Sequence, residues 1–172
     1  MPIARPPQVP AQLAGTRFST DYTGRLVDSL IFQGINFAGA GGTELPVQLL
    51  FGDDERVISG AQKMIQRWVI AFLTKRRSVQ ANPNIGSEFM QNLEQGYVVT
   101  DADVQSEFLD AAVLTAESLA VALANQTVPE DEQLESSELL SFDLQPGSLS
   151  LRIRITSVAG EGATVLLPIP LE

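Results

Sequence analysis

The chain has 172 residues, 44% of them hydrophobic and 19% charged, enough for one compact domain and too few for two separate cores. It contains no cysteine and no histidine, which removes disulfides, thiolate nucleophiles, Cys/His zinc sites and Ser-His-Asp triads together. Eleven basic against 21 acidic side chains give a net charge of −10, and so acidic a body repels a phosphate backbone, so nucleic acid is not an expected partner.

The charge is unevenly spread. Residues 1–100 hold nine basic and eight acidic side chains, whereas 101–172 hold only Arg152 and Arg154 against 13 acidic ones. The first residues, Met1-Pro2-Ile3-Ala4-Arg5-Pro6-Pro7, lack the apolar stretch of an export signal, and Lys63 and Arg67 interrupt the longest apolar helix candidate. Neither export nor a membrane span is expected, and synthesis is expected to be cytoplasmic.

Residues 1–15 carry four prolines, and proline's missing N–H keeps such a stretch out of helix and central sheet, so an extended arm is expected. Residues 26–37 are rich in β-formers and predict one or two short strands. They end at the hinge Ala38-Gly39-Ala40-Gly41-Gly42. The apolar run 47–51 predicts a strand feeding a helix, with Asp53-Asp54-Glu55 as acidic caps at the helix start.

The helix that follows has the clearest period in the chain. Val57, Ile58, Ala61, Met64, Ile65, Trp68, Val69, Phe72 and Leu73 form one broad apolar stripe, while Gln62, Lys63, Gln66 and Arg67 fill the opposite face. Trp68 on the stripe is a core residue. Lys75-Arg76-Arg77 closes the helix with cations that suit its dipole, and Asn82-Pro83-Asn84-Ile85-Gly86 is loop chemistry. Residues 87–95 predict a short helix, and Thr100-Asp101 caps a second long one over about residues 102–125. Its core face is marked by Val104, Phe108, Ala111, Ala112, Leu119 and Leu123. Leu109, Val113, Ala116 and Ala120 widen that face, so the helix is expected to be well covered.

Residues 130–135 read as a solvated acidic connector, after which the period changes from 3.6 to 2. Leu140, Phe142 and Leu144 alternate, Gln145-Pro146-Gly147-Ser148 is a type II turn signal, and Leu149, Leu151, Ile153 and Ile155 alternate with Ser150, Arg152, Arg154 and Thr156. A second turn at 159–162 leads to a last strand over 164–169. The expected fold is α+β: a small antiparallel C-terminal meander packed against two long helices, with an extended N-terminal arm.

Carboxylates are the only abundant catalytic-type groups, which leaves a two-carboxylate glycosidase as the one permitted hydrolase, without a motif that fixes such a pair. Asp53-Asp54-Glu55 lacks the spacing of a calcium loop and Gly39, Gly41 and Gly42 lack a phosphate-loop lysine. No catalytic residue, metal or cofactor is therefore expected. Lys75, Arg76 and Arg77 form the one dense basic cluster, which is either a solvated helix end or a docking point for an acidic partner surface.

The order of these parts is similar to the baseplate wedge and sheath-initiator family of contractile phage tails, with relatives in type VI secretion and contractile injection machines. The likeness rests on the acidic turn at 53–55, the helix ending Ala71-Phe72-Leu73-Thr74, the basic residues, and Pro83-Asn84-Ile85-Gly86-Ser87. It continues with Val98-Val99-Thr100 before the second helix, then Leu149-Ser150-Leu151-Arg152-Ile153-Arg154-Ile155, and the closing run 163–169. It covers about residues 50–170.

Members carry a Gly-Glu-Arg type sequence where this chain reads 75–82, so Arg76 or Arg77 stands in the arginine's place and the acidic partner is missing. Residues 1–50 lie outside the resemblance and are read from their prolines and glycines as an arm region with short strands, while the resemblance implies a wedge or initiator-like domain at 51–172. It implies a non-enzymatic structural protein, present in several copies around a ring in the virion's baseplate after assembly in host cytoplasm. It would join other wedge proteins, the sheath protein and tube or hub proteins by β-augmentation. Lys75, Arg76, Arg77, Pro83, Gly86, Arg152 and Arg154 are the candidate partner-binding residues. The alternatives are a tail-associated, carboxylate-dependent cell-wall hydrolase and another tail or neck protein of similar fold.

Overall fold

A computed structural model describes residues 28–29, 32–33, 36–37, 48–49 and 57–171. The arm at 1–15, the Gly-rich hinge and the acidic cap at 53–55 lie outside these residues. The strands expected over 26–37 and 47–51 are represented by β1 (Asp28–Ser29), β2 (Phe32–Gln33), β3 (Asn36–Phe37) and β4 (Gln48–Leu49), with β2 and β4 paired antiparallel.

The first long helix starts later than its apolar stripe. Val57–Ile58 is a strand, β5, paired antiparallel with β1, and α1 runs Gly60–Leu73 behind Ser59. Gly60 sits at φ 63°, a turn that lets the chain leave β5 and enter the helix. Trp68, Val69, Phe72 and Ile65 are fully buried as the stripe requires. Trp68 stacks on Phe72 with ring centroids 4.8 Å apart, and Phe72 in turn contacts Phe89 and Phe108. This aromatic file joins α1 to α2 (Phe89–Glu94) and α3 (Asp101–Leu123).

The cap of α3 is where the sequence places it. Thr100 accepts from the Asp103 N–H, and Asp103 Oδ2 accepts from the Thr100 N–H at 2.8 Å and the Val99 N–H at 3.2 Å, a complete capping box. The backbone bond from Thr100, then its hydroxyl, then the Val99 amide hold the Asp103 carboxyl below its usual value. A depressed carboxyl stabilises the fold above its unfolded pKa and ceases to do so as pH falls through its folded one, so this cap weakens only under acid below the ordinary aspartate range.

Three antiparallel strands, β6 (Leu134–Gln145), β7 (Ser148–Ser157) and β8 (Gly162–Pro170), form the meander, and β3 adds a two-residue pairing on β8 to give the order β3-β8-β7-β6. Gly147 at φ 86° supplies the positive φ that the first turn needs. Leu149, Leu151, Ile153 and Ile155 of β7 and Ala163, Val165, Leu167 and Ile169 of β8 point inward and form one core with α1, α2 and α3. In β6 a register shift between Leu139 and Ser141 breaks the strict alternation, so Leu139, Phe142 and Leu144 pack on the core and Leu140 is exposed.

Two polar expectations are corrected by one interaction. Lys63 and Gln66, on the face of α1 opposite its apolar stripe, are buried, and so are Asp131 and Glu132 of the connector, expected to be solvated. The connector is a single 3-10 turn (Glu130–Glu132) laid against the start of α1. Lys63 Nζ lies 2.7 Å from Glu132 Oε2, with the side chains 2% and 5% exposed, and the Gly60 N–H donates to Glu132 Oε1 at 3.2 Å.

Removing one member of such a pair strands the other's charge, so Lys63→Ala or Glu132→Ala is expected to cost about 3–5 kcal/mol in urea unfolding. The double change Lys63→Met/Glu132→Gln should cost clearly less than the two losses added together. In the aromatic file, Trp68→Ala should cost about 3–5 kcal/mol. Trp68→Phe should cost less, since it keeps the stack and deletes an indole N–H that has no acceptor among the described residues. Equal melting of Trp68→Ala and the parent would remove Trp68 from the core.

Candidate functional site

The basic cluster lies beyond the last turn of α1, not within it. Thr74 leaves the helix in extended conformation, and residues 74–87 form a loop that returns to its own start. The Ser87 N–H donates to the Thr74 carbonyl and the Arg76 N–H to the Ser87 carbonyl, both at 2.9 Å, forming a parallel bridge between Lys75 and Ser87. The Arg77 N–H donates to the Pro83 carbonyl at 3.2 Å. Two serines fasten this loop to the helices: Ser87 Oγ donates to the Phe72 carbonyl at 2.6 Å, and Ser118 Oγ of α3 donates to the Asn84 carbonyl at 2.9 Å.

The backbone requirement of Gly86 follows from this closure. It sits at φ 107°, and a Cβ there would overlap the Thr74 carbonyl oxygen. Arg77 also adopts a positive φ of 68°, a conformation that costs a non-glycine residue roughly 1 kcal/mol or more and is held by the surrounding hydrogen bonds. The loop is thus closed on itself and tied to α1 and α3 by hydrogen bonds. Its side chains differ in what they do: Lys75 Nζ is 2.6 Å from Glu94 Oε2 of α2, Arg76 is half-buried, and Arg77 and Pro83 are exposed.

Arg152 and Arg154 are not part of this loop. Both are exposed on β7 between inward-facing Leu151, Ile153 and Ile155, which puts them on the face of the sheet turned away from the helices. Arg154 stands directly opposite Glu138 of β6 and Arg152 opposite Ser141. The seven candidate residues therefore divide into a loop at the end of α1 and a pair on the outer sheet face. The Ser87 and Ser118 anchors escaped the sequence reading, because a small polar residue within an apolar helix face does not reveal a carbonyl it meets 34 residues away.

The remaining chemistry is sparse. Among the described residues no group of three or more acidic side chains is arranged to hold a metal ion, and no helix is long and apolar enough to cross a membrane. A groove of about 260 Å³ between α1 and α3 is lined mainly by Ile70, Ala71, Ile85, Leu119, Ala122 and Leu123.

Gly86→Ala should destabilise the chain by at least about 2 kcal/mol, combining a strained φ with a clash against main chain. Reversing the charges of Lys75, Arg76 and Arg77 should shift the melting transition little, since exposed ion pairs such as Lys75 to Glu94 contribute ~1 kcal/mol or less. Chemical denaturation of the two variants checks both. No protein-family model, curated protein or solved structure matches the chain.

Proposed function

We propose that the chain is a structural component of a contractile phage tail baseplate, linking baseplate wedges to the first ring of sheath by strand exchange and initiating sheath assembly. The observation that carries this reading is the sheet's outer edge. Among the described residues β6, twelve residues long, pairs on one side only, with β7. Such an edge offers a row of main-chain donors and acceptors to an incoming strand, and pockets along it select the strand's side chains. Glu135, Glu138 and Asp143 on β6 would favour a strand carrying cations and would discourage pairing with a second copy of the same edge.

The loop of Lys75, Arg76 and Arg77 supports the same reading, because a loop closed by hydrogen bonds before binding loses little entropy when it docks. The hydrolase alternative requires two carboxyls facing one another across a cleft. Glu132, one of the chain's buried carboxylates, is instead held by Lys63 and the Gly60 N–H.

An antibody against the purified chain should label the baseplate end of contractile tails in lysates of the producing cells. The Lys75/Arg76/Arg77 charge reversal should fold but be lost from those particles. Absence of the chain from tail particles, or release of peptidoglycan fragments by the purified protein, would overturn the proposal.

A further inference from the structure

The outward face of α3 is apolar and, among the described residues, uncovered, contrary to its sequence-based expectation. Leu109 and Val113 are 64% and 59% exposed, Ala102 and Ala120 are exposed, and Ala116 is half-buried. These positions recur at alternating steps of four and three residues from 109 to 120, the spacing with which one helix packs along another. The buried face of the same helix, Val104, Phe108, Ala111, Thr115 and Ser118, lies on the other side. Toward its C-terminal end the apolar face runs into a groove of about 340 Å³ between α3 and the start of β6, lined by Ala116, Ala120, Leu123, Val128 and Leu134 among others.

Charge identifies what this face accepts. Asp103, Asp110 and Glu117, each one residue on from Ala102, Leu109 and Ala116, form an acidic row along one flank of the stripe. Nothing nearby in sequence offsets it: residues 78–151 contain 13 acidic side chains and not one lysine or arginine. A second copy of α3 would bring no cation to this row, and an antiparallel pairing would set acidic flank against acidic flank.

We propose that the α3 face is a docking site for an amphipathic helix of a partner protein that has aliphatic residues at three- and four-residue spacing and a lysine- or arginine-rich flank. The aliphatic residues pack on Leu109, Val113, Ala116 and Ala120, and the basic flank lies along Asp103, Asp110 and Glu117. The site uses neither the β6 edge nor the basic loop, so it stands or falls independently of the tail assignment.

The chain has no cysteine, so Val113→Cys in the full-length protein introduces a single reporter thiol, and Ala120→Cys provides a second on the same face should the first impair folding. In the protein alone, the thiol should react with a maleimide nearly as fast as one in an unstructured peptide. A synthetic 21-residue helical peptide with leucines at this spacing and a lysine flank, at roughly tenfold above its Kd, should slow the reaction about tenfold. The same peptide with glutamate in place of lysine should not. Protection should also disappear on raising salt to about 0.5 M, in Asp110→Asn/Glu117→Gln, and in Leu109→Glu. A thiol protected in the dilute protein alone would mean that the chain's own residues cover the face, and protection that grows with protein concentration would mean self-association. Either result overturns the proposal, as would equal protection, or none, by the two peptides.

Discussion

The contact between Lys63 and Glu132 is the constraint around which the domain is arranged. It ties the first turns of α1 to the connector between α3 and the sheet, two segments far apart in the chain. Burying two opposite charges gains little net energy, because desolvation offsets most of their attraction. What the pair supplies is position: a buried ammonium tolerates few arrangements other than the one that neutralises it, and Glu132 also binds the Gly60 amide at the helix start. The connector is thereby held against α1, and the strand that follows it enters the sheet from a defined point.

From that point the core is conventional in its energetics. The inward residues of β7 and β8 meet the stripe of α1 and the buried face of α3, and the Trp68, Phe72, Phe89 and Phe108 rings carry the contact from one helix to the next. The loop at 74–87 closes the end of this stack. Its ordering depends on Ser87 and Ser118 reaching helix and loop carbonyls, so the geometry of the basic residues is set by the core beneath them.

Much of this was legible in the sequence where the signal is local. The alternation in β7, the stripe of α1, the Thr100 cap and the glycine of the first sheet turn each depend on residues within one element. The misreadings arise where a distant partner decides. Lys63 lies on the polar side of α1 by period, yet it is buried against the connector, where Glu132 neutralises it. Leu140 follows the alternation of its neighbours until the shift at Leu139 and Ser141 turns it outward. On α3, residues of similar hydropathy line both sides of the helix, and periodicity alone does not say that one side packs on the core while, among the described residues, the other packs on nothing. Pro83 and Gly86 announced a loop, but the return of that loop to Thr74 is a matter of main-chain hydrogen bonds that residue identities do not encode.

The irregularity in β6 has a bearing on how molecules of this protein coexist at high concentration. A perfectly periodic edge can be met by another strand at any offset of two residues, and it can be extended without limit by copies of itself. The interruptions at Leu134/Ser136 and Leu139/Ser141 remove that translational equivalence. Sliding an incoming strand by one repeat no longer reproduces the same set of bonds, so a single offset is preferred, and the flat, repeating ladder needed for fibre growth is broken. The same local defect that turned Leu140 outward thus works as a registration mark on an otherwise uniform edge.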